Sequence, residues 1–178
     1  MNKIRCSWAG PDEIYIKYHD EEWGVPTYDD RELFEMLVLE SFQAGLSWIT
    51  ILKKRENFKK AFDNFNVLKV AEYNNEKVEE LCSNEGIIRN KSKITSAINN
   101  AKVFIEIQNE FGSFSDYIWG FTNGKIIKAE YLTESDLSKE ISKDLKKRGM
   151  KFVGPTIIYS FLESIGVIDN HEKNCFKF

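Results

Sequence analysis

Apolar residues recur every three to four positions along most of the chain, and two-residue alternation over strand length is scarce. The spacing predicts helices near 11–20, 29–43, 46–62, 66–73, 75–84, 90–111, 113–120, 135–148 and 155–166. Short connections between them place the chain in the all-α class. Pro11 in Gly10-Pro11-Asp12-Glu13 and Pro155 in Gly154-Pro155-Thr156-Ile157 stand where helices start, because a missing N–H costs least there. Residues 121–134 are the least regular, a loop or a short extended piece around Asn123-Gly124. No repeat, low-complexity segment or proline-rich linker divides the chain, which reads as one domain.

Within the second predicted helix, Leu33, Leu37, Glu40 and Ala44 share one face, with Met36 beside them. Glu40 therefore falls on an apolar stripe, where an unpaired carboxylate is costly. Either it reaches solvent or a nearby lysine, or it forms the base of a pocket. Aromatic rings gather around it in sequence. Trp48 follows Gly45-Leu46 at the start of the next helix, and Trp8, Tyr15, Tyr18 and Trp23 crowd the N-terminal segment. Such rings usually fill cores. Together with a carboxylate they also describe a pocket for a flat, electron-poor or cationic ring.

The chain has 178 residues, 42% hydrophobic and 30% charged, ordinary for a soluble globular protein. The first residues carry no apolar signal segment, and no apolar run approaches a membrane span. Three cysteines argue against a disulfide scaffold and for a reducing, cytoplasmic setting, with Cys82 expected in the core. The net charge of −3 does not advertise nucleic acid. Basic residues nevertheless cluster at Lys53 to Arg55, Arg89 to Lys93 and Lys143 to Lys151, as solvated helix faces or as phosphate contacts. The last cluster runs into Gly149-Met150-Lys151-Phe152-Val153-Gly154, whose glycines permit tight turns with exposed N–H groups suited to phosphate. An ordinary helix–loop–helix connection has the same pattern.

Both histidines of the chain lie near a cysteine: His19 with Cys6 near the start, and His171 with Cys175, a spacing of one helical turn, near the stop. These four residues would complete a closed tetrahedral zinc site joining the two ends. Residue type and spacing alone fit equally a set of unrelated surface histidines and core cysteines.

Several stretches together resemble the type I 3-methyladenine DNA glycosylases, a branch of the helix-hairpin-helix glycosylases. They are Tyr18-His19-Asp20, Glu22-Trp23-Gly24-Val25-Pro26, Leu39-Glu40, the run from Gln43-Ala44-Gly45-Leu46-Ser47-Trp48-Ile49-Thr50 to Arg55, Gly86 to Asn90 with Lys93-Ile94, and Gly149 to Gly154. The resemblance covers essentially the whole chain. It implies a structural Zn²⁺ on Cys6, His19, His171 and Cys175. It also implies a helical lobe over roughly 30–165, with a zinc-clamped terminal lobe of 1–26 plus 166–178. By the same resemblance Glu40 is the pocket carboxylate, Tyr18 and Trp48 stack on the damaged base, and Trp8, Tyr15 and Trp23 form further wall. Gly45 and Leu46 enter the gap left by the extruded nucleotide, and Gly149, Lys151 and Gly154 grip double-stranded DNA. The implied activity is hydrolysis of the N-glycosidic bond of 3-methyladenine without strand cleavage, by a monomer. Asp169 is expected to support its neighbours rather than to catalyse. Phe42 stands where the family is often polar, and is expected at the pocket rim; Met150 stands where a larger aromatic is expected. The alternatives are a helical module that binds damaged DNA without catalysis, a zinc hydrolase, and a zinc-stapled interaction domain. Four protein ligands would leave catalytic zinc no open position, and the interaction domain leaves Glu40 on its apolar face without a reason.

Overall fold

A computed structural model describes residues 3–129 and 132–178. Its helices are α1 (Glu13–Glu21), α2 (Asp30–Gln43), α3 (Trp48–Ala61), α4 (Val67–Ala71), α5 (Asn75–Ser83), α6 (Lys91–Phe111), α7 (Phe114–Gly120), α8 (Asp136–Lys147) and α9 (Pro155–Ser164). Most begin as the sequence predicts, because a short polar side chain accepts from the first free N–H groups. Asp29 accepts from Glu32, Asn90 from Lys93 and Ser113 from Asp116. Pro155 occupies the first turn of α9 as expected. Pro11 does not start α1: Asp12 caps Ile14 instead, so the helix begins at Glu13. No helix among the described residues is long and apolar enough to cross a membrane.

The all-α reading needs one correction. Two short strands, β1 (Ile127–Lys128) and β2 (Ile168–Asp169), pair in parallel with Ile127 opposite Ile168. Ile127 N donates to the Val167 carbonyl and Ala129 N to that of Asp169, both at 2.9 Å. Two-residue strands are too short to produce a periodic pattern, so the sequence shows only irregularity there.

Helix α2 is the axis of the molecule. It packs against α3, α6, α7 and α9, and every residue from Leu33 to Phe42 is buried. It is enclosed on all sides rather than on the single face that Leu33 and Leu37 mark. Its polar residues must therefore find partners inside. Glu35 takes Arg31 at 2.9 Å and Arg55 at 2.7 Å. The Ser41 hydroxyl reaches the Leu37 and Phe152 carbonyls. Phe42 lies in the core, with its ring 4.9 Å from Phe58 and 5.9 Å from Phe62. It is not at the pocket rim, because it points to the opposite side of α2 from the aromatic pocket.

The two ends of the chain meet across this core. Gly24 N donates to the Glu163 carbonyl, Thr27 N to that of Ile165, and Phe176 N to that of Ile4. Gly166 sits at φ +77°, and a Cβ there would come within 2.5 Å of the Pro26 nitrogen, so only glycine permits this approach.

Candidate active site

Helices α1, α2, α3 and α9 and the N-terminal segment enclose a cavity of about 190 Å³. Its walls are Trp8, Tyr15, Tyr18, Trp23 and Trp48, with Glu40, Gln43, Ser160 and Glu163. Drug-sized ligands take about 300–1,000 Å³, so this space suits one small ring system. The rings brace one another: Trp8 lies 4.9 Å from Trp23 and 5.3 Å from Tyr15, and Tyr18 lies 5.5 Å from Trp48. All five aromatic candidates from the sequence, and Glu40, converge here.

Among the described residues, three buried polar atoms of this wall find no protein partner: Tyr18 Oη, Glu40 Oε2 and Trp48 Nε1. Native interiors leave few polar groups unpaired. An acceptor, a donor and a hydroxyl able to act as either are thus presented to whatever enters. Glu40 neither snorkels nor pairs with lysine. Burial holds its carboxyl well above the usual range, and the nearby Glu163 carboxylate pushes the same way. Glu163 is itself pushed up to about 7, chiefly by burial.

Glu163, Gln43 and Ser160 escaped the sequence reading. Glu163 carries the signal that marked Glu40, an acid in an apolar helix: α9 reads Pro-Thr-Ile-Ile-Tyr-Ser-Phe-Leu-Glu-Ser.

Behind Trp8 and Trp23 lies the cysteine–histidine cluster. One ligand atom from each of Cys6, His19 and Cys175 falls within 4.8 Å of the others, and all three residues are buried. His171 stands at the cluster's edge, its ring 5.5 Å from that of His19, with a buried and unpartnered Nε2. His19 Nδ1 is 2.9 Å from Asp20 and His171 Nδ1 is 2.7 Å from Asp169. Arg5 and His19 hold Asp20 far below the usual carboxylate range, so it stays ionised as the acceptor beside His19 Nδ1. A carboxylate at each Nδ1 favours the tautomer that leaves Nε2 as acceptor; that of His19 meets the Cys6 N–H at 3.4 Å, and that of His171 has no partner among the described residues. Burial lowers both imidazoles, which favours the neutral ligating form. Backbone N–H groups of Glu172 and Lys177 approach the Cys6 and Cys175 sulfurs at 3.4 Å. Burial pushes the Cys6 thiol up to about 12, so its thiolate needs a cation nearby. The clustered Cys6, His19 and Cys175 are donor types that could hold a soft divalent ion. His171 and Cys175 lie in turns rather than on a helix, and Asp169 supports His171, as expected.

Two loops adjoin the cavity-forming helices. Between α2 and α3, Gly45 adopts φ +79° and Leu46 is exposed. Lys93 Nζ clasps the end of α2, donating to the Phe42 carbonyl at 2.8 Å and that of Ala44 at 2.6 Å. Between α8 and α9, Gly149 adopts φ +100°. Asn100 locks this hairpin: its Nδ2 donates to the Lys151 carbonyl and its Oδ1 accepts from Lys151 N, both at 2.8 Å. The Lys151 side chain is exposed, but its backbone N–H is already engaged. Gly154 lies at φ −62° and caps α9. Each basic cluster commits a member to the protein itself: Arg55 binds Glu22 and Glu35, Lys93 caps α2, and Arg148 pairs at the surface with Asp144 and Glu110.

An aromatic cavity with one unsatisfied carboxylate and two unsatisfied hydroxyl or N–H groups, on a helical scaffold, has the shape and chemistry to suit a flat nitrogenous ring. A family model for methyladenine glycosylase matches residues 8–178. A DNA-3-methyladenine glycosylase 1 of Escherichia coli is 46% identical over 177 residues, covering 96% of this chain and 95% of that one. A crystal structure of 3-methyladenine DNA glycosylase I is 45% identical, with a TM-score of 0.94 over 97% of this chain and 98% of that one. A variant of 3-methyladenine DNA glycosylase I solved in complex with 3-methyladenine is 39% identical, with a TM-score of 0.93 over 97% and 96% of the two chains. The chain belongs to the methyladenine glycosylase family.

Proposed function

We propose that this protein is a monofunctional DNA-repair glycosylase that removes 3-methyladenine from alkylated double-stranded DNA. The observation that carries the reading is the convergence of the unpartnered Tyr18 Oη, Glu40 Oε2 and Trp48 Nε1 on a cavity sized for one ring system. The relative solved with 3-methyladenine bound supports the same ligand. In DNA that base is cationic, so aromatic faces and a carboxylate attract it more than they attract adenine.

The base must first leave the helical stack, which costs less for a damaged pair. Leu46 fills the gap as an apolar wedge, a reading supported by its exposure beside the φ-positive Gly45. The hairpin of Gly149, Lys151 and Gly154, of the helix-hairpin-helix type, holds the backbone, with the Lys151 ammonium as the phosphate contact. Inside the cavity Tyr18 and Trp48 sandwich the base, Glu40 meets its positive edge, and Trp8, Tyr15 and Trp23 exclude water. The C1′–N9 bond then breaks, its electrons neutralising the departing purine, and water adds to the sugar cation to leave an abasic site. Among the described residues no lysine lines the cavity, which fits hydrolysis without a Schiff base.

Cys6, His19, His171 and Cys175 would hold a Zn²⁺ whose contribution is structural, tying the terminal segments into a lobe (1–26 with 166–178) against the helical lobe of 30–165. His19 follows Tyr18 directly, and Trp23 packs 4.6 Å from His171, so the clamp steadies the pocket wall. A DNA substrate supports a cytoplasmic site of action, and a pocket wall supplied wholly by residues of this chain is consistent with action as a monomer.

Incubation with methylated duplex DNA, followed by chromatography of released bases, tests the activity. Release of 3-methyladenine with 7-methylguanine retained is the expected result. Folded, metal-loaded, DNA-binding protein that releases no base would establish a lesion-binding module instead.

A further inference from the structure

The cavity wall holds a second carboxylate, Glu163, presented from α9 across from Glu40 on α2. Two acids share a space of about 190 Å³, and among the described residues no lysine or arginine lines it. Glu163 is not free to turn away. Its Oε1 accepts from Asn170 Nδ2 at 2.7 Å, and its backbone carbonyl accepts from Gly24 N at 3.1 Å. The side-chain clamp is a neutral amide, so it fixes the carboxyl without cancelling its charge. Other titratable groups near it offer no positive charge: Tyr18 on α1 and Tyr159 on its own helix are both held protonated by burial, and Glu163 reinforces this in each. Like charges placed together in a dry site oppose one another's ionisation. Such a pair has reason to exist where the ligand supplies the missing cation.

We propose that Glu163 is a second anionic specificity residue of the pocket, which together with Glu40 selects a positively charged purine over a neutral one. Glu40 supplies the unpartnered oxygen that the base meets directly. Glu163 deepens the negative potential felt by the whole ring, and this favours binding chiefly when the ring is charged. The inference rests on the base-pocket reading above and adds the charge selection within it. It also gives the terminal segment a part in discrimination, because Asn170, which orients Glu163, follows β2 and precedes His171.

The test uses the intact, metal-loaded protein and two probes that need no catalysis. One is 3,9-dimethyladeninium, a fixed cation whose 9-methyl group replaces the sugar; the other is neutral 3-methyladenine. Quenching of pocket tryptophan fluorescence reads both affinities. Glu163→Gln keeps the shape and can keep the Asn170 contact. It is expected to weaken the cation by about tenfold, the order of one screened charge at pocket range, while changing the neutral base less than about twofold. Glu163→Asp, which keeps the charge and shifts it, is expected to fall between; should the Gln variant not fold, the cation-to-neutral ratio of the Asp variant decides in the same way. Equal loss for both probes would reduce Glu163 to a packing residue, and no change in either would make it a bystander; either result overturns the proposal. A wild-type protein that binds neither probe would count instead against the base pocket itself.

Discussion

Replacing Glu40 by glutamine is expected to move activity and stability in opposite directions. In the proposed complex the carboxylate faces a cationic base, and a charge pair about 4 Å apart is worth about 4 kcal/mol at an effective dielectric near 20. Glutamine keeps a carbonyl oxygen in the same place, so part of that attraction survives as a dipole. The loss in transition-state stabilisation is then about 2–3 kcal/mol, a fall of roughly 30- to 150-fold in kcat/KM. Stability runs the other way. Burial raises the folded-state pKa of Glu40 above its unfolded value, so between the two the native state holds more protons than the unfolded chain. Stability therefore declines as pH rises through that window, and the penalty is fully present above it. Glutamine does not ionise, and removes the penalty. Calorimetry of the free protein should show Glu40→Gln melting higher than wild type at pH 8, by about 2–4 °C per kcal/mol gained in a domain of this size. The difference should shrink toward pH 4. Single-turnover excision on methylated duplex supplies the activity arm. A variant with wild-type excision, or one that melts lower at pH 8, would refute a charged, unpartnered Glu40 in the pocket.

Three further substitutions separate the supporting parts. His171→Ala should lower bound zinc, read by elemental analysis, and cost at least about 3 kcal/mol in calorimetry through loss of the metal clamp, while the surviving folded fraction keeps most of its turnover; full zinc occupancy would remove His171 from the ligand set. Lys151→Ala should weaken binding to lesion-bearing and undamaged duplex alike and reduce the salt slope of log K by about 1; a loss confined to damaged DNA would contradict a phosphate contact. Lys93→Met removes two charge-assisted bonds at the end of α2, at about 1.5–3 kcal/mol for such groups. Excision from duplex should fall well below wild type while affinity for free 3-methyladenine holds; parallel losses would mean that Lys93 serves only stability.

Much of this site could be read from the chain because its signals are local. A carboxylate on an apolar helix face, rings within a turn of one another, and Asp, Asn or Ser caps are all decided over a few residues. Glu40, Tyr15, Tyr18 and seven capping side chains are of that kind. What escaped depends on distant partners. Glu163 bore the same local signal as Glu40 but shows its role only where α9 meets α2 at the cavity, and Lys93 looked like surface charge until the end of α2 met it. Phe42 looked like a rim residue because sequence gives the period of a helix but not how many of its faces are covered. The pairing of Ile127 with Ile168 had no sequence signal, since two residues carry no alternation.

The cluster that backs the pocket draws Cys6 and Cys175 from opposite ends of the chain, and this sets the order in which the protein can be made. The tryptophans of the wall, Trp8 and Trp23, leave the ribosome well before His171, which packs on Trp23, and Cys175. At roughly 5–20 residues per second, the N-terminal thiol waits on the order of 8–34 s for its C-terminal counterpart. During that interval the helices from α2 to α8 can assemble, but the aromatic wall stands without its support. The nascent chain thus cannot brace this wall until the segment around Cys175 has emerged, and its early cysteine is exposed to oxidation for just that time.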